Sequence, residues 1–354
     1  MRNLGLDLMR IVAVFLVLGR HLYLSESSSH FLGIWQRGGW VGVDIFFVLS
    51  GFLVSGLLFK EHQRTGSLNI KRFLIRRALK IYPSFWVMIL CTLCVSVFLH
   101  QPLSKSVVLS ELLFIQNYVF GLWWHTWSLA VEEHFYLLLS VLMYVLTLKF
   151  KKSPFSRIPL FFIVIAVTCF LLRVVTSIVI PTYSPREYLF GSHLRFDSLF
   201  YGVFLSYMYN YKDLLGRFSK IPSLVLLLSG VLLLIPAFKF PLELYKWVSV
   251  YGVILFYIGS GLLLIAAIRL KESNNPLLKF LGALGGASYS IYLWHMPVNE
   301  WGEIILRRMG VAENFGVYLC MYLIGSCLVG YVFNKLIEWP VLHLRDKLFP
   351  SLSK

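Results

Sequence analysis

The sequence has few charged residues, and acidic residues are especially scarce. Only 14% of the 354 residues are charged, with 17 Asp and Glu against 33 Lys and Arg, whereas a soluble domain carries about 25%. Cysteine is scarce too. The five cysteines all lie in apolar segments, and an odd number without metal-ligand spacing predicts neither a disulfide framework nor a zinc site. The composition therefore excludes an ordinary soluble domain, and we expect no bound metal.

Long apolar segments are abundant instead, since 58% of the residues are hydrophobic. Runs of about 20 such residues are long enough to cross a bilayer. They predict an all-α integral membrane protein with about ten transmembrane helices in one bundle. The predicted spans are 4–24, 40–60, 81–99, 128–148, 158–180, 195–210, 222–238, 247–268, 280–304 and 315–337. We expect one transmembrane domain over residues 1–340 and a short cytoplasmic tail over residues 341–354.

The net charge of +16 is explained by loops that face the cytoplasm, so nucleic acid is not an expected partner. With the N-terminus inside, the predicted inner segments hold 21 of the Lys and Arg residues and the outer loops hold seven. This asymmetry follows the positive-inside rule. It predicts that both termini are cytoplasmic and that the protein is a multi-pass protein of the plasma membrane, in contact with membrane lipids.

The first predicted span contains charged residues, which are expensive inside a bilayer and therefore indicate function. Arg10 and His21 are 11 positions apart, which is about three turns of an α-helix. Their side chains are therefore expected on one helix face, separated by roughly 16 Å along the axis. Asp7 belongs to the same face. In the predicted orientation Arg10 lies in the inner half of the membrane and His21 near its outer end.

Five other spans place ionisable or polar groups near the depth of His21. A lone buried group of this kind is usually a satisfied core residue, but many at one depth indicate an active site. Asp44 and Glu132 are candidate catalytic partners, and Glu133, Trp127, Tyr292 and His295 are candidate substrate-binding residues. For Tyr292 and His295 a structural hydrogen bond is an equal alternative. The same layer contains Ser128, His134, Arg173, Arg195 and Asp197.

The predicted inner side has a different chemistry. Residues 71–80 read KRFLIRRALK, so Arg76, Arg77 and Lys80 recur at helical spacing. One interpretation is a basic helix that rests on anionic lipid headgroups. The other is a phosphate-binding site, where arginine offers bidentate contacts. Arg10 points to the same side and favours the second interpretation.

A phosphate site on one side and an acid–base layer on the other fit the two ends of acyl-CoA. Its nucleotide phosphates are charged, and its pantetheine arm is long, thin and nearly neutral. His21 is the candidate general base, because imidazole titrates near neutral pH. It would activate an acceptor hydroxyl for attack on the thioester. Asp44 or Glu132 would orient the imidazole or stabilise the imidazolium, and the sequence leaves open which one does so.

These motifs together resemble the membrane acyltransferase-3 family of integral membrane O-acyltransferases, over nearly the whole chain. The pair Arg10 and His21 has the Arg-x10-His spacing of that family. The other matching segments are GVDIFFVLSGFL at 42–53, RRALKIYP at 76–83, WSLAVEEHFY at 127–136, FDSLFYG at 196–202, ASYSIYLWHMP at 287–297 and IEWP at 337–340. Each pattern is weak alone, but their order along the chain makes the resemblance specific.

The resemblance implies transfer of an acyl group, usually acetyl, from cytoplasmic acyl-CoA to a hydroxyl of a carbohydrate or lipid-linked sugar, often at the outer face. It implies that His21 is the base. It also implies that Arg10 and the basic segment with Arg76 and Arg77 bind the donor. The family usually has arginine at the position of Lys80, so this chain keeps the charge there but loses the bidentate fork.

Two other classes of protein share some of these features. Charged layers within membranes also mark secondary transporters with proton relays, but the sequence contains no inverted repeat and no matching pair of broken spans. Lipid-linked glycosyltransferases or polymerases tend to use large outer loops with acidic residues. Here the longest predicted outer loop, 100–127, has Glu111 as its single acidic residue. We therefore favour the acyltransferase and keep the transporter as the alternative.

Overall fold

The protein is described by a computed structural model over residues 3–24, 29–311 and 313–352, and these residues form helices, turns and loops without any strand. The prediction of an all-α protein is therefore confirmed. The α-helices in chain order are α1 (Leu4–Arg20), α2 (His30–Gly38), α3 (Gly42–Thr65), α4 (Ile70–Phe98), α5 (Lys105–Leu112), α6 (Trp127–Lys149), α7 (Ile158–Val179), α8 (Phe196–Tyr211), α9 (Leu214–Phe218), α10 (Ser223–Lys239), α11 (Val253–Ile268), α12 (Pro276–Gly286), α13 (Ser288–Arg308), α14 (Phe315–Phe333) and α15 (Trp339–Leu348).

Six helical segments of the described chain are long and apolar enough to cross a membrane. They are His30–Thr65, Ile70–Phe98, Trp124–Lys149, Ile158–Val179, Val248–Ile268 and Phe315–Leu348. The predicted spans at the positions of α1, α8 and α10 are helices of 17, 16 and 17 residues. These are slightly shorter than the roughly 20 residues of a typical span. The number of ten spans and the side of the termini therefore stay predictions.

The predicted single span over 280–304 is wrong, because the chain forms two helices there. α12 ends at Gly286, and the N–H of Ala287 closes its last turn before α13 begins. The end of α12 packs closely on α1. A Cβ added to Gly285 would lie 1.9 Å from the carbonyl oxygen of Asp7. The break brings the start of α13 against the middle of the bundle, where it contributes to the candidate site.

The basic segment at 71–80 is part of the same helix as the apolar segment that follows it. α4 has 29 residues and contains Pro83 without ending there. The predicted tail at 341–354 is helical as far as Leu348, and this helix, α15, packs against α4. Because the two helices meet at Arg76, the tail contributes side chains to the same region as the basic segment.

α3 and α8 pack against each other over an extensive face, and glycine makes the approach possible. A Cβ on Gly51 of α3 would lie 1.9 Å from the carbonyl oxygen of Leu199, and one on Gly202 of α8 would lie 2.2 Å from that of Val48. Small residues allow such contact between membrane helices. This rigid pair holds Asp44, near the start of α3, against the first turn of α8.

Candidate active site

The end of α1 places His21. The helix ends at Arg20, and His21 is its C-cap rather than a residue within it. A helix end leaves carbonyl groups without partners, and here side chains from other helices supply the hydrogen bonds. Asn299 Nδ2 donates to the carbonyl of His21 at 2.6 Å, and Tyr322 Oη donates to that of Leu18 at 3.0 Å. These bonds fix the backbone that carries the imidazole.

Three imidazoles lie side by side at this point. The ring of His295 is 5.1 Å from that of His21 and 4.7 Å from that of His125, measured between centroids. His295 Nδ1 meets the carbonyl oxygen of Tyr292 at 2.5 Å, and His125 Nε2 meets that of Leu293 at 3.1 Å. A carbonyl only accepts, so each of these nitrogens donates. In the neutral rings the other nitrogen then carries a lone pair.

A cavity of about 640 Å³ opens beside this cluster, and we call it the histidine cavity. Its polar lining comes from His21 and His125 together with Arg20, Arg195, Glu243 and Glu300. Its aromatic lining includes Tyr23, Trp40, Trp124, Trp127, Tyr183, Phe190 and Tyr292. Trp127 stacks on Phe190 with centroids 4.8 Å apart and an angle of 8°. The cavity thus combines flat apolar faces with a few polar groups, as ligand sites commonly do.

Glu111 shapes the loop that carries His125. This side chain is fully buried, and its Oε1 accepts hydrogen bonds from the backbone N–H of Leu122 at 2.8 Å and of Trp123 at 3.3 Å. It also accepts from Thr126 Oγ1 at 2.8 Å. Burial raises the pKa of Glu111 to about 7, although the hydrogen bonds favour its ionised form. The single acidic residue of the predicted outer loop is therefore a structural anchor beside the histidine cluster.

A second cavity, of about 400 Å³, has a cationic lining, and we call it the arginine cavity. Its charged and hydroxyl-bearing lining residues are Arg10, Ser50, Arg77, Lys80, Ser128, Glu132, Tyr136, Ser288, Tyr289, Tyr292 and Arg345. They come from α1, α3, α4, α6, the start of α13, and α15. The structure thus brings Arg10 together with Arg77 and Lys80, as the sequence predicts. Val43 and Tyr292 line both cavities.

Most cations of this region have carboxylate partners. Arg10 Nη1 is 2.6 Å from Asp7 Oδ1, and Lys80 Nζ pairs with Glu338 Oε1. Arg77 differs, because its Nε is buried without a hydrogen-bond partner among the described residues. A buried guanidinium with a spare donor is suited to an oxyanion, so the cavity fits the phosphates or carbonyls of an extended donor.

Arg76 takes a different position from the other predicted donor-binding residues. It does not line the arginine cavity. Its guanidinium is 2.9 Å from Asp346 Oδ1 and also donates to the carbonyl of Phe349, at the end of α15. Arg345, which sequence analysis assigned to the tail, lines the cavity instead and bonds to the same Asp346.

Asp44 does not orient His21 among the described residues. Its Oδ1 is 2.7 Å from Arg195 Nη2, and both side chains are almost completely buried. A second buried pair lies nearby, with Arg173 Nη2 2.8 Å from Asp197 Oδ2. Burial of a charge is tolerated only when it is paired. Four of the ionisable groups that the sequence predicts at one depth are therefore engaged in these two ion pairs.

The other predicted carboxylates also have partners elsewhere. Glu132 faces the arginine cavity, and its Oε2 accepts a hydrogen bond from Tyr136 Oη at 2.6 Å. Glu133 accepts from Tyr82 Oη at 3.0 Å and does not line either cavity. Among the described residues the neighbour of the His21 imidazole is thus His295, and neither Asp44 nor Glu132 takes the orienting position.

Two of the residues that sequence analysis missed are His125 and Arg345. His125 lies two positions before Trp127, and its place in the aromatic segment LWWHTW is the signal that was available. Arg345 lies outside every predicted span, so no depth argument applied to it. By contrast, Tyr292 and Trp127 line the histidine cavity as expected. His295 is completely buried behind that cavity and contacts it through His21 and His125.

These features define a helical membrane protein with a polar site in two chambers. A family model described as an acyltransferase domain, the acyltransferase-3 model, matches residues 3–335. The chain belongs to this acyltransferase family. No solved structure matches it.

Two curated relatives cover most of the chain. It is 29% identical over 321 residues to the peptidoglycan O-acetyltransferase OatA of Listeria monocytogenes, covering 83% of this chain and 49% of that protein. It is 28% identical over 381 residues to the O-acetyltransferase OatA of Staphylococcus aureus, covering 99% of this chain and 59% of that protein. The chain thus spans about half the length of the curated relatives it matches.

Proposed function

We propose that this protein is an O-acetyltransferase that moves an acetyl group from acyl-CoA to a hydroxyl of a carbohydrate on the other side of the membrane. One observation carries the proposal. α1 places Arg10 in the arginine cavity and, just past its end, His21 in the histidine cavity, and the two cavities share lining residues. A single helix thus connects a cationic chamber with a chamber that contains a base.

The arginine cavity is the proposed donor site, and it faces the cytoplasm in the orientation predicted from loop charge. Arg10, Arg77, Lys80 and Arg345 line it, so a polyanion finds several cations within one chamber. Arg77 offers a spare buried N–H. The pantetheine arm would extend between α3 and α13 toward the histidine cavity. Arg76 is then a residue that positions α15 rather than a direct contact of the donor.

The histidine cavity is the proposed site of reaction. The imidazole of His21 removes the proton of the acceptor hydroxyl, whose oxygen attacks the thioester carbonyl. Collapse of the tetrahedral intermediate forms the ester and breaks the C–S bond, and the imidazolium returns its proton to the leaving thiolate. His295 and His125 keep neutral rings beside His21. His295 thereby takes the neighbouring position for which the sequence suggested a carboxylate.

The acceptor is proposed to be a cell-surface glycan or a lipid-linked sugar. The stacked rings of Trp127 and Phe190, with Trp40 and Tyr183, give the cavity flat apolar faces of the kind that sugar rings cover. Polar groups at Arg20, Glu243 and Glu300 remain for hydroxyls. A relative that covers most of this chain is named a peptidoglycan O-acetyltransferase, so peptidoglycan fragments are the first acceptors to test.

Acetyl-CoA consumption tests the proposal. Purified protein in vesicles is given acetyl-CoA with a labelled acetyl group and, on the opposite side, peptidoglycan fragments or other surface glycans. We expect release of free CoA that depends on the acceptor, and alkali-labile label on the glycan. Vesicles that accumulate a solute while the thioester stays intact would instead establish the transporter alternative and overturn the proposal.

A further inference from the structure

The two cavities lie next to each other and share two lining residues. Val43 of α3 and Tyr292 of α13 are the residues that line both chambers. Both are almost completely buried within the bundle, with 7% and 6% of their surface exposed. We call these two side chains the septum. A molecule that crosses directly from the cations of one chamber to the imidazoles of the other would pass beside them.

The tyrosine of the septum is held from both sides. Phe46, which lines the arginine cavity, packs edge-on against the Tyr292 ring at 5.9 Å, and His125, which lines the histidine cavity, packs edge-on at 5.4 Å. The Tyr292 hydroxyl donates to the carbonyl of His125 at 2.7 Å and lies 2.6 Å from Ser128 Oγ. Its position is therefore set by groups of both chambers.

Val43 is the residue of the septum at which a substitution changes the width of the opening. It is the residue before Asp44, whose ion pair with Arg195 anchors the start of α3. A valine has two methyl groups and a stiff χ1 angle, so its width at the septum is fixed by the residue type rather than by rotamer choice. Substitution at this position changes the opening by whole methyl groups.

We propose that the septum of Val43 and Tyr292 determines which acyl groups this protein transfers, by limiting the width of what passes from the arginine cavity to the histidine cavity. The inference rests on the proposed function. The acyl group leads when a CoA thioester enters from the cationic chamber, so it meets the septum first, and a branched acyl group is wider there than the unbranched chain on the other side of the sulfur. The histidine cavity beyond is large, at about 640 Å³, so the limit lies at the septum and not in the space behind it.

Two substitutions of Val43, one to a smaller and one to a larger side chain, test this role. The measurement is the ratio of kcat/KM for isobutyryl-CoA to kcat/KM for acetyl-CoA, which cancels differences in the amount of folded protein. One carbon in a tight apolar passage changes kcat/KM by about tenfold or more. We expect V43A to raise the ratio about tenfold and V43I to lower it. Butyryl-CoA, which is longer but not wider, should gain less in V43A than isobutyryl-CoA does.

Val48→Ala is the matched control. Val48 is on the same helix, is completely buried, and lines neither cavity. V48A should therefore leave the ratio as in the wild type, although it too removes two methyl groups from α3. A change of the ratio in V48A equal to that in V43A would assign the effect to general loosening of the helix and overturn the inference.

The outcomes separate this inference from the function on which it rests. If the wild type consumes no acetyl-CoA with any acceptor, the proposed function fails and the septum with it. If the wild type transfers acetyl groups but neither V43A nor V43I changes the ratio, only the septum fails. Should V43A not fold, the conservative V43I still decides, because an unchanged ratio in that variant contradicts the proposal.

Discussion

The two cavities differ in how their polar groups are partnered. In the arginine cavity the cations mostly face carboxylates of the protein, as in the pairs of Arg10 with Asp7 and Lys80 with Glu338. In the histidine cavity the imidazoles face backbone carbonyls and one another, as for His125 and His295. The first region is built of charge pairs, and the imidazole cluster of the second is held by backbone carbonyls.

This difference indicates a division of labour. Cations that are paired with internal carboxylates stay charged and in place when no donor is bound, and a polyanion then competes for them. An imidazole that donates one N–H to a carbonyl has, in its neutral form, a lone pair on the opposite nitrogen and can act as a base. The largest tests therefore concern the histidine cavity, and the smallest concern the competition in the arginine cavity.

Removal of the His21 imidazole should have the largest effect. General base catalysis contributes about 10²–10⁴-fold, so H21A should lower kcat/KM for acetyl transfer by at least 10²-fold. The thermal midpoint should stay near that of the wild type, because the backbone bonds of His21 do not involve its ring. His193→Ala is the control, since His193 is exposed and lines neither cavity. Activity of H21A within tenfold of the wild type would remove His21 from the mechanism.

Asp44→Ala should mainly cost stability, because it leaves Arg195 buried without its partner. Breaking a buried ion pair typically costs about 3–5 kcal/mol, measured here as a loss of free energy of unfolding in detergent. The double variant D44A/R195M should recover much of the loss, since it removes both charges. If D44A instead loses activity at unchanged stability, Asp44 acts on the His21 imidazole directly. The imidazole cluster would then depend on a carboxylate as well as on backbone carbonyls.

The sequence predicted the elements of this arrangement better than their connections. Apolar length revealed most helices, and helical spacing placed Arg10 and His21 in linked positions, because both properties are local. The partner of Asp44 was not predictable, since Arg195 is 151 residues away and meets it through the glycine contacts between α3 and α8. Sequence analysis grouped residues by their predicted depth in the membrane alone. Glu132 was therefore grouped with His21, although the two residues line different cavities.

The break between α12 and α13 shows the same limit. The sequence predicted one span over 280–304, and Gly285 and Gly286 are compatible with either a span or a turn. The contact that requires glycine at position 285 lies on α1, where the carbonyl of Asp7 leaves no room for a side chain. A pairwise contact of this kind is not encoded in the local pattern of either segment.

Glu111 provides a test that depends on pH. Its pKa is about 7 in the folded protein and near 4.3 in an unfolded chain. As pH rises between these values, the unfolded chain releases its proton first, so the folded state loses stability. The loss is up to about 3 kcal/mol by linkage. Thermal midpoints of the wild type should therefore fall from pH 5 to pH 8, beyond the fall seen in E111Q.

The Glu111→Gln variant sharpens the result. Its side-chain oxygen still accepts from Leu122, Trp123 and Thr126, but it does not titrate. Its midpoint should vary less with pH, and its acetyl transfer should persist because the loop with His125 keeps its anchor. Equal pH dependence of the two proteins would show that Glu111 is ionised at both ends of the range, and that the histidine cavity borders a charged anchor rather than a neutral one.

The smallest effect is expected from Asp346→Asn, which tests whether internal carboxylates compete with the donor. Asp346 bonds to Arg76 and to Arg345, and its side chain is 43% exposed. Exposed ion pairs are worth about 0.2–1 kcal/mol, so KM for acetyl-CoA should fall by up to about fivefold. The gain should shrink at high salt, which screens exposed charges.

The pair of Glu303 with Arg307 on α13 supplies the control for Asp346. Glu303→Gln also removes a partly exposed carboxylate, and Glu303 lines neither cavity. It should leave KM unchanged. A rise of KM in D346N would reverse the interpretation of the charged region. Asp346 would then hold Arg345 in the position that the donor needs, and the carboxylates around the arginine cavity would preorganise the binding site instead of competing with its ligand.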